Sequence, residues 1–597
     1  MSRLLIVPFL LLLTSQITAS TTDDVHEKLD AWDITSATTQ AKQLLWQDPE
    51  NRHVQLLAAR VQHQRGQYKS AMSLIHATQD PLSKSVQDLA DRTSGSLRWM
   101  AESKEIRTPH FIIRFLGKDE ITAFYAGNVL EAALRNIGRE LGYQHAESDE
   151  PILVEFYPDA FGLADATGLT IREIQTTGTI AICKYHRVMI TSPLAASAGY
   201  GWADTLAHEL THLIIAKASN NHVPIWLHEG IAKYFETTWR GKPGEALEPY
   251  GEKLLRRAVE KNSYVTFAEM HPSMAKLPSQ EKAALAFAEV FSVLEFIQAR
   301  FPHDKVGLLL RHLASSNDLD ASLKATLGLS LNGLETAWHG YLKTRHFRDV
   351  AGAKPSQIRF TDGATNTTDA SPLEDLVDLE AKDAARLGEL LQLRGHHHSA
   401  MRKYEKAYAK VDARYPTLNH RLAHAYLNVG NEEKARQIID ASLKIHSQDA
   451  DALLLAGQIE QRAGKTDEAI ARFEALRWIN PYIPALHEAL ALLYAKSGKP
   501  TSQITREQHF AQLAKTPMPP TQPLRADLKP TPGSAGISFL QIDWQPISID
   551  GQPPQETPLW NQTLTPGKHN VSTTALDGTS TTQEIFVTSH PQIIRLD

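Results

Sequence analysis

The sequence predicts a multidomain protein that is mainly helical, with one α+β domain in the middle and a small β domain near the C-terminal end. Three observations support this prediction: helical sequence that recurs with a fixed period, a central region that alternates between strand-like and helical segments, and a loss of helical periodicity beyond residue 536. A chain of 597 residues is long enough for about four domains.

The composition limits the classes of function. Hydrophobic residues make up 42% of the chain and charged residues 22%, which are ordinary values for a globular protein. The 62 Lys and Arg against 68 Asp and Glu give a net charge of −6, so the basic excess of a nucleic-acid binder is missing and we expect no nucleic-acid partner. A single cysteine, Cys183, excludes an internal disulfide and a cysteine-based zinc or iron–sulfur site. With 26 histidines, metal binding through imidazole is the first chemistry to search for.

Residues 1–20 have the pattern of a secretory signal peptide. Arg3 precedes the apolar run Leu4 to Leu13, and small polar residues follow. The run is too short for a membrane span, which needs about 20 apolar residues. We therefore expect an exported mature protein without a transmembrane segment, and an uncleaved membrane anchor is the alternative.

A period of about 34 residues marks residues 379–515. Glycine recurs at nearly constant spacing, at Gly395, Gly430, Gly464 and Gly498. Alanine follows five positions after the first three, at Ala400, Ala435 and Ala469. Period and residue types resemble the tetratricopeptide repeat (TPR), a helix–turn–helix unit. Gly66 and Ala71 have the same spacing, which predicts a TPR-like helical region over residues 21–104. The resemblance implies either a surface that binds protein partners or a purely structural scaffold.

Two linkers and a β domain complete the flanks. Residues 349–378 are polar and rich in Thr, Asp and Ala, and residues 516–536 carry six prolines that predict a semi-rigid spacer. Residues 537–597 alternate between apolar and polar positions, with turns such as Asp550-Gly551, and therefore predict antiparallel strands. Their sequence resembles PEGA-type domains, small β-sandwich modules of bacterial envelope proteins.

The central region contains a motif that fits metal chemistry. Residues 202–218 have helical periodicity and include His208, Glu209 and His212. Histidines at positions i and i+4 project from one helix face, so both imidazoles can reach one metal ion. Glu209 points about 100° around the helix, where its carboxylate can hold and deprotonate a water rather than bind the metal. A catalytic zinc site needs a third protein ligand and one open position.

A candidate for the third ligand is Glu229, seventeen residues beyond His212 in a second predicted helix that Pro224 opens. HExxH followed by WLxEGxAxYxE resembles the gluzincin metallopeptidases of the peptidase-MA-like group, over residues 105–348. The resemblance implies a zincin-type α+β domain in which the HExxH helix lies beside a small sheet and a helical subdomain follows. It also implies Zn²⁺ bound by His208, His212 and Glu229, with Glu209 as general base and acid.

Neighbouring residues leave alternatives open. His228 could be the ligand in place of Glu229, although it would point about 100° away on the helix. Asp204, one turn before His208, could orient a ligand imidazole or could be a plain acid in the first helical turn. Glu236 is not expected to be a ligand; its carboxylate is expected either to be solvated or to contact a ligand residue. Cys183 is expected to be a small buried strand residue, not a nucleophile.

The resemblance also suggests where substrate binds and where the chain departs from the family. A predicted hairpin precedes the metal helix, and we expect an extended peptide to pair with the segment from Ile180 to Ile190. Related sequences have a tyrosine that stabilises the oxyanion where this chain has Phe287, which cannot donate a hydrogen bond. Tyr250, Tyr264 and His271 are the alternatives for that role.

Together these features predict an exported zinc metallopeptidase that is secreted or periplasmic, with a Gram-negative cell envelope as the expected setting. The sequence has no GxMxN-type strand upstream of HExxH, which favours endopeptidase action, and exopeptidase action stays open. Its TPR repeats would bind protein partners or protein substrates. The alternative is a catalytically weak or inactive peptidase-like TPR scaffold that assists assembly of the cell envelope.

Overall fold

The computed structural model describes residues 21–78, 83–146, 148–245, 247–271, 273–274, 277–348, 353, 360, 373, 376–517, 536–574 and 579–596. The predicted signal peptide and most of both predicted linkers lie outside these residues. Within the described ranges, no helix is both long enough and apolar enough to cross a membrane. The described residues form two compact units, one within residues 1–62, 70–81 and 530–597 and the other within residues 63–69 and 82–529.

The N-terminal and central parts of the chain contain fifteen helices and five strands among the described residues. The N-terminal helices are α1 (Thr22–Asp30), α2 (Ile34–Gln47), α3 (Arg52–Gln64), α4 (Tyr68–Ala77) and α5 (Lys84–Met100). The central region then runs through β1 (Lys104–Arg107), β2 (Phe111–Phe115), α6 (Glu120–Leu141), β3 (Ile152–Tyr157), α7 (Ala160–Thr167), α8 (Ile171–Thr177), β4 (Ala181–Lys184) and β5 (Arg187–Thr191). It ends with α9 (Trp202–Ala218), α10 (Ile225–Phe235), α11 (Pro249–Lys261), α12 (Gln280–Arg300), α13 (Lys305–Ser316), α14 (Leu319–Leu327) and α15 (Leu331–Thr344).

The C-terminal part contains a repeat array and a small β region. The array consists of α16 (Leu379–Leu393), α17 (His397–Val411), α18 (Pro416–Asn428), α19 (Glu432–Ile445), α20 (Ala450–Arg462), α21 (Thr466–Arg477), α22 (Pro484–Lys496) and α23 (Thr501–Lys515). The β region consists of β6 (Gly536–Gln541), β7 (Pro546–Ile549), β8 (Gln555–Glu556), β9 (Leu559–Thr563), β10 (Gly567–Thr574), β11 (Ser580–Val587) and β12 (Gln592–Leu596). The predicted mainly helical architecture with a small C-terminal sheet region is confirmed.

The central sheet has the strand order β1-β2-β3-β5-β4. Strands β2, β3 and β5 are parallel, and α6 makes the crossover between β2 and β3. The outer strands β1 and β4 are antiparallel to their neighbours. Tyr185 and His186 form the two-residue turn of the β4–β5 hairpin, with φ values of 56° and 67° that suit the twist of a tight hairpin. Strand β4 is an edge strand of the sheet, and α9, the predicted metal helix, packs against it.

Helices α9 and α10 pack against each other and carry the predicted site. Helix α9 lies against β4, and α10 is enclosed between α9 and α12. Gly230 permits the contact with α12, because a Cβ at this position would lie 2.9 Å from the carbonyl oxygen of Val290. The close packing fixes the rotation of α10 and thereby the direction of its polar side chains.

The repeat array is built from four antiparallel helix pairs that share one apolar core. The glycines that set the sequence period have φ values of 77°, 77°, 73° and 66°, at Gly395, Gly430, Gly464 and Gly498. Each follows the first helix of a pair in the left-handed conformation, which glycine adopts without a steric penalty. The sequence period therefore marks where the first helix of each pair ends.

The junction between the third and fourth helix pairs packs against the central region. The Trp202 indole N–H donates to the Arg477 carbonyl at 3.0 Å, and the Tyr200 N–H donates to the Ile479 carbonyl at 3.0 Å. The rings of Trp202 and Trp478 are 5.6 Å apart. Because Tyr200 and Trp202 stand at the start of α9, the repeat array holds the N-terminal end of the predicted metal helix.

The other compact unit joins the two ends of the chain. Its strands form two sheets, β11-β10-β7-β8 and β12-β6-β9, with one shared apolar core. The Ser70 hydroxyl donates to the Pro558 carbonyl at 2.6 Å, and the Gln62 amide donates to the Thr557 carbonyl at 3.0 Å. These contacts join residues 21–62 and 70–78 to the β region, whereas α5 belongs to the other unit.

Candidate metal centre

Two histidines on α9 and one glutamate on α10 converge. The rings of His208 and His212 are 4.8 Å apart and nearly perpendicular, at 87°. Glu229 Oε2 lies 3.4 Å from His208 Nε2 and 3.7 Å from His212 Nε2. The three side chains are 14–19% exposed, so the cluster is shielded but reachable from solvent. The structure thus brings together the three residues predicted as ligands.

The geometry fits a zinc ion. Tetrahedral zinc with bonds of about 2.0–2.1 Å places neighbouring ligand atoms roughly 3.4 Å apart. The measured separations from Glu229 are 3.4 and 3.7 Å, and the three ligand atoms all lie within 4.8 Å of one another. Two imidazoles and one carboxylate are also a donor set that zinc accepts while one position stays open. Across the described ranges, this is the one group of three or more such side chains with converging ligand atoms.

Glu236 orients His208 from behind. Its Oε2 lies 3.1 Å from His208 Nδ1, and its Oε1 accepts a hydrogen bond of 2.6 Å from the Lys233 ammonium group. A carboxylate on Nδ1 fixes the ring and leaves Nε2 directed at the metal position. Of the two expectations for Glu236, the structure therefore supports contact with a predicted ligand residue and not a solvated carboxylate. Lys233, which neutralises it, was missed by the sequence analysis, although its spacing of three residues was a signal.

His228 contacts the second histidine and does not join the cluster. Its Nδ1 lies 2.6 Å from His212 Nδ1, so one ring donates and the other accepts. Burial lowers the pKa of His228 to about 4, which keeps the ring neutral and able to accept. If His212 donates its Nδ1 proton, its Nε2 lone pair is free for a metal. The alternative in which His228 replaces Glu229 as ligand has no support in this geometry.

Asp204 does not orient a ligand. Its carboxylate accepts hydrogen bonds from the Trp239 indole at 2.8 Å and from the Arg240 guanidinium at 3.0 and 3.1 Å. Both donors follow α10, so Asp204 joins the start of α9 to that segment. Of the two expectations for this residue, the plain structural one is supported.

The charges within the cluster are coupled. Burial lowers the pKa of His212 well below its usual value and keeps the ring neutral. Burial also lowers the pKa of His208, but hydrogen bonds to Glu229 and Glu236 outweigh this effect and raise the pKa to about 10. Burial alone would raise the pKa of Glu229, yet the neighbouring histidines lower it to about 2. Without metal, His208 and Glu229 form an ion pair, and a metal would have to displace the His208 proton.

Glu209 lies beside the cluster and against the edge strand. Only 8% of the residue is exposed, and its Oε2 accepts a hydrogen bond of 2.6 Å from the Cys183 backbone N–H. Burial raises its pKa to about 7, despite the opposing effect of His208. Cys183 contributes its backbone here, and burial raises the pKa of its thiol well above the usual value, which disfavours a thiolate nucleophile.

The aromatic residues considered for the oxyanion role do not contact His208, His212 or Glu229 among the described residues. Phe287 lies on α12, the helix that packs against α10. Tyr264 stacks on His339 with the rings 4.0 Å apart, and Tyr250 lies near Arg257 and Glu281. In the part of the chain that the structure describes, no hydrogen bond or ring contact links Tyr250, Tyr264 or Phe287 to the three predicted ligand residues.

The candidate site lies in a part of the chain that matches a peptidase superfamily model. A family model described as Peptidase MA superfamily matches residues 133–344, about a third of the chain. This range contains the histidine pair, Glu209 and Glu229. No curated protein matches the chain.

Several solved structures are similar to parts of the chain. One is described as the crystal structure of MamA protein, with 18% identity and a TM-score of 0.20 over 22% of this chain and 70% of that one. The Cut9–Hcn1 hetero-tetramer of the APC/C has 12% identity and a TM-score of 0.22 over 83% and 80%. The TPR domain of P58(IPK) has 14% identity and a TM-score of 0.17 over 83% and 98%. These TM-scores are too low to define a shared fold.

Proposed function

We propose that the chain is a zinc metallopeptidase with a zincin-type catalytic domain that hydrolyses peptide bonds. The observation that carries the proposal is the convergence of His208 Nε2, His212 Nε2 and Glu229 Oε2 at zinc-compatible distances. The Peptidase MA superfamily match over residues 133–344 supports peptide hydrolysis as the reaction.

The chain's own residues divide the metal-binding task. His208, His212 and Glu229 would hold the ion, and Glu236 and His228 orient the two imidazoles through their Nδ1 atoms. When bound, zinc would lower the pKa of a water ligand toward about 7 and polarise a substrate carbonyl.

Glu209 would move the proton. Its carboxylate takes a proton from the attacking water and delivers it to the nitrogen of the leaving amine, so it acts first as base and then as acid. The hydrogen bond from the Cys183 N–H fixes one carboxylate oxygen and leaves the other to face the reacting water. Nine-tenths of the residue is buried, which excludes bulk water from this transfer.

The edge of β4 supports a position for substrate. Strand β4 pairs with β5 on one side, and the Cys183 N–H on its other side points to Glu209. An extended peptide that paired with this edge, along the segment from Ile180 to Ile190, would place a scissile bond next to the carboxylate. Pairing along a strand edge suits the middle of an extended chain, which favours endopeptidase action, and such a peptide would use backbone groups other than the Cys183 N–H.

The remaining features suggest the setting. The signal-peptide pattern of residues 1–20 and the PEGA resemblance of residues 537–597 support an exported enzyme, in a Gram-negative periplasm. The helix pairs of residues 379–515 support binding of protein partners or protein substrates.

Metal analysis of the purified chain tests the ligand set. We expect about one zinc per wild-type chain and loss of zinc after dialysis of Glu229→Ala, because two histidines alone bind zinc weakly. A matched control is Glu245→Ala, an exposed carboxylate that pairs with Arg240. Equal zinc in wild type and Glu229→Ala would exclude Glu229 as a ligand.

Glu209→Gln separates catalysis from metal binding. We expect the variant to retain zinc while hydrolysis of a casein or peptide-library substrate falls by about 10²–10⁴, because the amide cannot accept the proton. Undiminished hydrolysis by this variant would refute the proposed mechanism. Zinc binding without hydrolysis by the wild type would instead favour the second candidate, a peptidase-like scaffold, which Phe287 in place of an oxyanion donor also favours.

A further inference from the structure

Helix α16, the first helix of the repeat array, has two apolar faces. Its inner face packs on α17 through small residues, and a Cβ at Gly388 would lie 2.8 Å from the Tyr404 ring. Its outer face carries leucines that are 76%, 42%, 53% and 80% exposed, at Leu379, Leu387, Leu390 and Leu393. At 100° per residue these leucines fall within a sector of about 120°, on the side opposite the inner face.

The outer face of α16 occupies a position that is covered elsewhere in the array. Helices α18, α20 and α22 each pack against the second helix of the preceding pair, namely α17, α19 and α21. Among the described residues no helix pair precedes α16 in the array, and of the segment before it Leu373 and Leu376 join the array's core. At the opposite end, Phe510 of α23 packs against Phe124 and Tyr125 of the central region, with ring separations of 5.7 and 5.6 Å. Terminal repeats need a polar outer face for solubility, so four exposed leucines at this end indicate an interface.

We propose that the outer face of α16 binds the same face of a second copy of this chain, with the two helices antiparallel. Charge complementarity selects this occupant. Asp383, Arg386 and Arg394 are exposed and lie on the leucine face, Arg394 just beyond the end of α16. Asp383 and Arg394 are centred on the same point of the helix as Leu387 and Leu390, whereas the position related to Arg386 by that point is Leu391. A two-fold axis at that point places Asp383 opposite Arg394 of the partner subunit and Leu387 opposite Leu390 of the partner subunit. A parallel pair would instead place like charges together, which is unfavourable.

The size of the face sets the expected strength. Helix α16 has 15 residues and is therefore about 22 Å long. A single helix pair of this length buries on the order of 1,000 Å², at the lower limit for a specific interface. We therefore expect a dimer with micromolar affinity, visible as a concentration-dependent equilibrium.

Sedimentation velocity of the full chain, over roughly 1–100 µM, tests the proposal. We expect wild type to shift from one chain to two, and Leu390→Glu to weaken dimerisation by about 100-fold, because both copies lose a buried leucine. Leu492→Glu is the matched control, since Leu492 is 62% exposed on α22 of the same array and should leave dimerisation unchanged. Circular dichroism of each variant checks that the helices are intact.

A charge exchange tests the antiparallel arrangement. Asp383→Arg alone should abolish the dimer, and the double variant Asp383→Arg/Arg394→Asp should restore it, because the exchanged charges again face each other. A wild-type chain that stays monomeric at every concentration overturns the proposal, whatever else covers the face. A dimer that is indifferent to Leu390→Glu, or that the charge exchange does not restore, overturns it equally.

Discussion

Replacement of Glu289 by glutamine should remove a large pH dependence from the stability of this protein. Glu289 lies on α12 with 0% exposure, and its carboxyl oxygens lie 3.1 Å from the Val265 backbone nitrogen, which donates to them. Burial raises its pKa to about 8. A carboxyl group with a higher pKa in the folded than in the unfolded chain binds more protons when folded. Its contribution to stability is therefore present at low pH and is lost as the pH rises through 8.

The magnitude follows from the two pKa values. A rise from 4.5 to about 8 corresponds to about 5 kcal/mol at 1.36 kcal/mol per pH unit. Most of this loss, about 4 kcal/mol, falls between pH 5 and pH 9. Glutamine keeps an acceptor for the Val265 N–H and cannot ionise. Any free energy that its buried amide costs is therefore the same at pH 5 and at pH 9.

Urea unfolding of wild type and Glu289→Gln at pH 5, 7 and 9 measures the effect. The free energy of unfolding of the variant, relative to wild type, should rise by about 4 kcal/mol from pH 5 to pH 9. Glu584→Gln is a suitable control, because its exposed carboxylate pairs with Lys568 in the C-terminal β region. Parallel pH profiles for wild type and Glu289→Gln would show that Glu289 is not buried as a neutral acid.

Two further substitutions test contacts around the metal helix. Glu236→Ala should weaken zinc binding by about 10–100-fold in competition with a chelator, and Glu236→Gln should weaken it less, because the amide oxygen still accepts from His208; equal affinity for Ala and wild type would contradict an orienting role. Trp478→Ala should lower the free energy of unfolding by about 2–4 kcal/mol, since the ring packs on Trp202. Thermal or urea unfolding measures this loss, with Leu492→Ala on the exposed surface of the array as control.

Local sequence patterns predicted much of the site. The spacing of His208 and His212 requires one helix face once α9 forms, and the tight hairpin before it is encoded in adjacent residues. Glu229 was different, because a separation of seventeen residues does not determine how two helices pack. Its assignment came from resemblance, and the structure places it as that resemblance implied.

Contacts between elements account for what the sequence left open. Whether Glu236 and His228 point to solvent or to the two histidines depends on the rotation of α10, which the contact of Gly230 with α12 fixes. The contacts of Arg477 and Ile479 with Trp202 and Tyr200 were equally hidden, since the repeat period describes contacts between neighbouring helix pairs only. A repeat period gives no information about contacts between the array and the rest of the chain.

The unit formed from both chain ends has a consequence for biosynthesis. Gln62 and its acceptor at Thr557 are separated by 495 positions. At about 5–20 residues per second, a ribosome needs roughly 25–100 s to make the intervening chain. During that time the hydroxyl of Ser70 lacks its Pro558 acceptor, and chaperones have a defined interval in which to bind the nascent N-terminal helices.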